Sequence, residues 1–290
     1  MKNHVSIAVA SALSASLLTA AATLTTQDVK FPEASPNAVV RQQVGLTSVE
    51  VEYYRPGAKG RQVFGGLVPF GEIWRTGANN ATKITFSDEV SFGGDPVPAG
   101  TYAFFTIPGE QEWTFILNKV TEQWGSYAYD ESNDVVRVKA RAHSLAEPIE
   151  TMSISLENLR DASADLTITW DKTRVSLPIQ TNLVETLVPQ IEAAMSQGGA
   201  QTPYLQAAMF YFEHDVDLTK SIEWIDKALA ANPEAVWILY RKGLVLQKLG
   251  ETEAARDVAT MTIDKATATG GELGAEYVRL AKALLAKLEG

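Results

Sequence analysis

Cysteine is absent from the 290-residue chain. Without it there is no disulfide framework, no thiol nucleophile and no cysteine to take a lipid anchor. The folded protein must therefore depend on its hydrophobic core. A chain of this length is long enough to build two ordinary domains.

Histidine is scarce, with only His4, His143 and His214 in the whole sequence. The sequence contains no HExxH pattern, no pair of neighbouring histidines and no G-x-S-x-G elbow. These absences disfavour a histidine-based zinc site and a histidine-dependent catalytic triad. We predict neither a metal nor a cofactor.

An excess of basic residues is also lacking. Lys and Arg number 25 against 35 Asp and Glu, which gives a formal net charge of -10. Acidic side chains outnumber basic ones in both halves of the chain. Nucleic acid and anionic lipid need a basic face on their protein partner, so we exclude them as partners. The overall charge favours neutral, cationic or protein ligands.

The sequence has a single long apolar run, Val5–Ala22, which follows Lys2 and ends in three alanines. This pattern predicts a signal peptide over residues 1–22, with the mature chain starting near Thr23. The alternative is a membrane anchor, but the run is rich in Ala, Ser and Thr, whereas a spanning helix needs about 20 strongly apolar residues. We expect an exported protein, periplasmic or secreted, without stable membrane insertion after signal cleavage.

Residues 30–181 have the pattern of strands. Apolar and polar residues alternate along Val49–Tyr53, Asp134–Arg141 and Thr151–Leu156, the period of a half-buried strand. Turn signals recur between such runs, and about eight to ten short strands are expected. The pattern predicts an antiparallel β-sandwich or a partly open barrel.

One hairpin is predicted within that region. Leu166–Trp170 and Arg174–Ile179 both alternate, and Asp171–Thr173 between them suits a turn.

From residue 182 to 290 the period becomes helical. A first helix is expected over Leu183–Ser196, and a repeat of 34 residues follows, in which Met209 aligns with Gly243 and Ser221 with Ala255. Small residues at such positions allow two antiparallel helices to approach closely. The pattern resembles tetratricopeptide repeats, with units at about 202–235 and 236–269 and a terminal helix over 271–288. A pair of generic helical hairpins is the alternative.

The segment Gly71–Thr82 concentrates recognition chemistry in a glycine-punctuated loop. It contains Glu72, Trp74, Arg75, Asn79 and Asn80. Packing alone does not require an indole, a guanidinium and two amides in one loop, and loops between rigid strands are where binding groups concentrate. We therefore predict a ligand site here. The structural alternative is that Trp74 plugs the edge of the core and Arg75 pairs with Glu72 or with Asp130.

A second concentration lies at Gln123–Asp130, where Trp124, Tyr127 and Tyr129 surround Gly125. Aromatic faces at a bent strand end can stack on sugar rings or on peptide side chains. These three aromatic residues therefore join the candidate ligand site. The structural alternative is that they cover an open end of the β region.

Several segments within residues 30–181 share a family likeness. They are Ser35–Pro36, Val49–Pro56, Gly71–Thr82, Ala99–Gly109 and Trp124–Tyr129. Together they resemble a family of exported bacterial domains catalogued as domain of unknown function 2911. The resemblance implies a β-rich exported domain, often followed by tetratricopeptide-like helices, and no established activity, so it supplies no catalytic residue. Arg61 belongs to the same family-like stretch and joins the candidate site.

The leading hypothesis is an exported binding protein that is not an enzyme. Its β region would bind a ligand at the Trp74–Asn80 loop, and its helical region would offer a surface to a protein or peptide. Peptide, protein and glycan ligands all stay open. One alternative is a hydrolase or carbohydrate-active enzyme that uses Glu72 or Asp130 with Arg75 as electrostatic support. Another is a structural envelope protein.

Overall fold

The computed structural model describes residues 31–199 and 201–289. The predicted signal peptide lies outside these residues. Within them, nine strands are followed by six α-helices, which confirms the prediction of an antiparallel β region followed by a helical region. The strands are β1 (Asn37–Val44), β2 (Thr47–Tyr54), β3 (Thr82–Phe86), β4 (Val90–Phe92), β5 (Asp95–Val97), β6 (Gly100–Ile107), β7 (Glu112–Asn118), β8 (Asp134–Arg160) and β9 (Ser163–Thr181).

Alternation of apolar and polar residues explains the strands. In β2, Thr47, Val49, Val51 and Tyr53 are buried, and the residues between them are more accessible. A period of two residues places every second side chain on the same face of a sheet, so this face of β2 contributes to the core.

The nine strands form one open antiparallel sheet with the order β1-β2-β3-β6-β7-β8-β9-β4-β5. The long strand β8 divides this sheet into two parts. Its residues 134–141 pair with β7 in the first part, and its residues 142–160 pair with β9 in the second. The sheet folds over, so that β2 meets the second part of β8. There the Tyr53 hydroxyl accepts a hydrogen bond from the Ile154 N–H at 2.9 Å and donates one to the Ile154 carbonyl at 3.3 Å. A single hydrophobic core lies between the two parts.

The predicted hairpin within residues 166–179 is wrong. The structure has one continuous strand, β9, and the register against β8 shifts where Ile149 pairs with Asp171. Asp171 has a φ of +50°, which bends the strand without reversing it. Asp tolerates this left-handed backbone better than most residues, so the same residue suits a bend and a turn.

β6 is buried on both faces, in contrast to β2. Its outward side chains Ala103 and Phe105 form a second, small cluster with Ile116 of β7, and Ile73 and Tyr129 cover that cluster. The covering residues come from the loops before β3 and before β8. Part of each candidate loop therefore covers the outer face of the sheet, over β6 and β7.

The helical region has its own core. Successive helices from the second to the last pack against each other. Asp217 caps the third by accepting a hydrogen bond from the Lys220 N–H at 3.0 Å, and Gly250, with a φ of +81°, ends the fourth. Among the described residues, no helix combines the length and the apolarity needed to span a membrane. The helices are α1 (Leu183–Gln197), α2 (Tyr204–Glu213), α3 (Leu218–Ala231), α4 (Val236–Leu249), α5 (Thr252–Thr269) and α6 (Gly271–Leu288).

Candidate functional site

The loop before β3 is fixed to the end of β6 by backbone hydrogen bonds. The Trp74 N–H donates to the Thr106 carbonyl at 2.8 Å, and the Thr106 N–H donates back to the Trp74 carbonyl at 2.9 Å. The Gly71 N–H donates to the Pro108 carbonyl at 2.8 Å. These bonds give the loop the support of a rigid strand, so its side chains have fixed directions.

A buried threonine network holds the centre of the loop. The hydroxyls of Thr76 and Thr106 are 3.1 Å apart, and the Thr82 hydroxyl donates to the Thr76 carbonyl at 2.7 Å. Thr76 has a φ of +54°, a conformation that is rare for a β-branched residue. Such strain persists only where the surroundings determine it, and it concentrates at functional sites. The neighbouring residue is Arg75, whose carbonyl accepts from the Thr82 N–H at 3.1 Å.

Trp74 belongs to the core of the β region. Only 7% of its surface is exposed, and its indole stacks on Trp170 with ring centroids 6.0 Å apart. Trp113 and Phe64 pack edge-on against it. Its Nε1 donates to the Gly77 carbonyl at 3.1 Å, which closes the turn around Arg75. Trp74 is thus part of the core, as the structural alternative for this residue predicted. It also lines a cavity.

That cavity has a volume of about 300 Å³. Its walls come from the Gly71–Thr82 loop, the segment that follows β2, and β9. Within the described chain its lining includes no Asp or Glu. The lining residues important for its chemistry are Ser35, Arg61, Trp74, Arg75, Asn79 and Trp170.

Arg75 is half-buried in this cavity, and its side chain forms no ion pair within residues 31–199 and 201–289. Its Nε is fully buried and makes no hydrogen bond in the structure. Burial lowers the pKa of the Arg75 guanidinium below its ordinary value, and Tyr127 partly opposes that shift. An arginine keeps its charge in proteins in any case. Arg75 therefore presents a positive charge that no described carboxylate neutralises.

The two carboxylates proposed as partners of Arg75 lie elsewhere. The Asp130 side chain accepts from the Ser132 N–H at 2.9 Å and caps the short 3-10 helix Glu131–Asn133. The same hydrogen bond lowers the Asp130 pKa. Glu72 is exposed and does not line the cavity. Neither carboxylate belongs to the cavity that contains Arg75.

Arg61 adds a second guanidinium. Its Nε donates to the Ala58 carbonyl at 3.0 Å, and one of its terminal nitrogens donates to the Gly57 carbonyl at 2.8 Å. These bonds orient the planar group without neutralising its charge. Two arginines of a chain with an acidic total composition therefore lie at one cavity.

Asn79 connects the cavity to the second candidate loop. Its φ is +53°, its carbonyl accepts from the Gly125 N–H at 3.0 Å, and its amide donates to the Ser35 carbonyl at 3.5 Å. The amide also reaches Glu33 at 3.4 Å, which places one carboxylate near the rim of the cavity. Asn80 is exposed and forms an isolated β-bridge with Trp124.

Trp124 and Tyr127 form an aromatic pair that faces solvent, hereafter the outer pair. Trp124 is 68% exposed and Tyr127 is 81% exposed, yet their rings stack with centroids 5.6 Å apart and planes 20° from parallel. Gly125 between them has a φ of +69°, and a Cβ there would lie 2.7 Å from the Tyr127 ring. The tyrosine ring can fold over this position because no side chain occupies it.

Tyr129 does not join the outer pair. Its ring packs against Phe105, its hydroxyl donates to Asp134 at 2.6 Å, and Arg137 donates to that hydroxyl at 2.8 Å. Burial and the bond to Asp134 raise its pKa. The structure thus separates Tyr129 from the other predicted site residues and gives it a structural position.

Sequence reasoning did not identify several parts of the site. Ser35 and Trp170 come from distant segments that only the folded sheet brings to the cavity. The Thr76–Thr106 pair could not be predicted from the sequence, since threonine is common in strands.

Two larger cavities, of about 460 Å³ and 610 Å³, lie where the β region meets α1. Both are lined by Leu46 and Leu183. Their polar linings contain acids such as Asp88 and Glu213, but within the described chain neither lining contains an arginine or a lysine. We assign the candidate site to the smaller cavity, because there a charged group is desolvated without a partner.

Fold and site together define an antiparallel β domain with a cationic surface cavity, followed by a helical region. The chain belongs to the DUF2911 family, described as a protein of unknown function, whose model matches residues 35–179, half of the chain. The matched range includes every predicted site residue. No curated protein and no solved structure matches the chain.

Proposed function

We propose that the chain is an exported binding protein and that its cavity at the Trp74–Asn80 loop binds the anionic group of a peptide, protein or glycan. The single observation on which this rests is the half-buried guanidinium of Arg75, whose buried Nε has no hydrogen-bond partner among the residues that the structure describes. Buried polar groups are normally hydrogen-bonded, and an exception in a strained, well-supported loop indicates a missing partner.

An anionic group suits the cavity better than a neutral one. Guanidinium groups bind carboxylate and phosphate with two parallel hydrogen bonds, and two arginines converge here without an acid in the described lining. The negative net charge of the chain favoured neutral or cationic ligands. Net charge acts over long distances, however, whereas the cavity selects its ligand at contact, where its own charges dominate.

The export proposal depends on the sequence pattern of residues 1–22 and on the resemblance to exported domains. The helical region is proposed to consist of tetratricopeptide-like hairpins that offer a protein-binding surface. Support comes from the small positions of the repeat. Ser221 and Ala255, 34 residues apart, are both fully buried, and a Cβ at Gly243 would lie 2.9 Å from Leu284 of α6.

The hydrolase and the structural alternatives have less support. A two-carboxylate mechanism requires acids that face each other across a site, and Glu72 and Asp130 do not line the cavity. A purely structural role for the loop gives no reason for an unpartnered arginine.

The test uses a panel of carboxylate-bearing peptides and glycans, each paired with its neutral amide or ester, and calorimetric titration of the mature chain. At least one acid should bind, its neutral counterpart should bind more than about tenfold more weakly, and Arg75→Gln should remove the difference. Glu33→Gln should strengthen binding, because it removes the negative charge near the rim. Arg41→Gln on β1, which breaks an ion pair with Glu50 on β2, is the matched control and should change nothing. Equal affinity of Arg75→Gln and wild type for every bound acid would contradict the proposal.

A further inference from the structure

The exposure of the outer pair is unusual for residues of this size. Trp124 and Tyr127 are among the most exposed large hydrophobic side chains described, although the loop that contains them also covers the cluster around Phe105. Their apolar surface could have been buried there, as Tyr129 is. An exposed aromatic face next to polar groups is typical of a binding surface.

The outer pair lies beside the cationic cavity. The two loops are joined by hydrogen bonds from the Gly125 N–H to the Asn79 carbonyl at 3.0 Å and from the Ala81 N–H to the Gln123 carbonyl at 2.9 Å. Tyr127 also interacts electrostatically with Arg75, which partly opposes the lowering of the guanidinium pKa by burial. A ligand that extends across the two hydrogen-bonded loops would contact both features.

The two features together restrict the ligand. The guanidinium requires an anionic group, and the aromatic faces require a flat partner whose hydrogens point toward the negative π-face. An aromatic peptide side chain gains most from a pocket that encloses it, but the outer pair is open to solvent. The C–H face of a pyranose needs only a platform, and its hydroxyls stay hydrated on the other side.

We propose that Arg75 and the outer pair form a subsite for an acidic sugar, with the carboxylate on the Arg75 guanidinium and the pyranose ring on a free aromatic face of the stacked Trp124–Tyr127 pair. This proposal rests on the proposed function, because it assumes that the cavity binds an anion. It adds the class of ligand, a sugar acid, and a role for the outer pair. Asn79 and Arg61 line the same cavity and would lie beside the hydroxyls of the bound sugar.

The decisive ligands are a trisaccharide of galacturonic acid and the same trisaccharide with every carboxylate methyl-esterified. Both present the same pyranose faces, and only the first has charge. In calorimetric titrations of the mature chain, the acid should bind more than about tenfold more tightly than the ester. Equal binding of the two would overturn the assignment of the carboxylate to Arg75.

Variants separate the stacking from the charge. Trp124→Ala and Tyr127→Ala should each weaken binding of the acid by about fivefold or more, in the range found when a stacked ring is removed. Tyr127→Phe keeps the ring and should bind as wild type does. Val120→Ala, at another exposed apolar residue before the outer pair, is the matched control and should have no effect. Wild-type affinity of both alanine variants would overturn the role of the outer pair.

The outcomes distinguish this proposal from the one it rests on. If acidic peptides bind in a manner that depends on Arg75 but the uronate trisaccharide does not, the sugar assignment is wrong and the anion-binding function stands. Binding of a nucleoside monophosphate in preference to the uronate would likewise replace the sugar by another ring. If no anion of any class binds, both proposals fail.

Discussion

The β domain contains two aromatic groups near the candidate site, and they differ in their exposure to solvent. The inner group consists of Phe64, Trp74, Trp113 and Trp170, which pack mainly edge-on in the core with centroids 4.8 to 6.1 Å apart. The outer pair, Trp124 and Tyr127, stacks in the open. Arg75 shares the cavity lining with Trp74 and Trp170 and interacts electrostatically with Tyr127. This difference in exposure indicates different roles: the inner group stabilises the fold, and the outer pair contacts the ligand.

Replacing one tryptophan from each group is the strongest test of that division. Trp74→Ala should lower the free energy of unfolding by about 3–5 kcal/mol, because it removes a large buried side chain and leaves a void among three aromatic rings. Trp124→Ala should lower it by less than about 1 kcal/mol, the value of one exposed stacking contact. Urea denaturation of both variants gives the comparison. Similar losses in the two would mean that the outer pair is also structural.

The buried network of Thr76, Thr82 and Thr106 should have an intermediate effect on the free energy of unfolding. Thr82→Val removes the hydroxyl that donates to the Thr76 carbonyl and should cost about 1–2 kcal/mol, since that bond is buried. Thr85→Val, three residues along β3, removes a comparable hydroxyl from an exposed pair with Thr101 and should cost less than about 0.5 kcal/mol. Thermal unfolding by calorimetry measures both. A larger effect at Thr85 would show that burial does not determine the strength of these bonds.

Tyr129 and Tyr127 repeat the comparison within one loop, since Tyr129 packs on Phe105 and Tyr127 is exposed. The folded-state pKa of Tyr129 is raised above its ordinary value of 10.0, so its contribution to stability is complete below about pH 10 and is lost as the pH rises further. Tyr129→Phe should cost about 1 kcal/mol at neutral pH and should reduce the loss of stability above pH 10. The variant should still lose some stability at alkaline pH, because the pKa of Tyr211 is also raised, to about 12.

The control for this prediction is Tyr127→Phe, which should leave the free energy of unfolding at neutral pH within about 0.5 kcal/mol of wild type. Stability profiles from pH 7 to about 11 provide the measurement for both variants. An unchanged alkaline slope in Tyr129→Phe would mean that its hydroxyl is not held in the folded state.

The contrast between inner and outer residues also shows where sequence reasoning succeeds. Alternation along β2 predicted which residues face the core, because the strand geometry fixes side-chain direction. Trp74 and Trp124 both occur in irregular loops, where apolar residues do not recur at regular intervals. Loop composition alone therefore predicted both as ligand-binding residues. Only the pairing of Trp74 with Thr106 and the bridge from Asn80 to Trp124 decide which indole is buried.

Arg75 should have a small effect on stability and a large effect on binding. Arg75→Gln should leave the free energy of unfolding within about 1 kcal/mol of wild type, because the guanidinium has no protein carboxylate to lose and its desolvation is relieved. Arg137→Gln is the matched control. It should cost more than about 1 kcal/mol, since it leaves the buried Asp134 carboxyl without its cation. If Arg75→Gln proved the more destabilising of the two, the guanidinium would be holding its own loop, and the cavity would lose the feature that makes it a binding site.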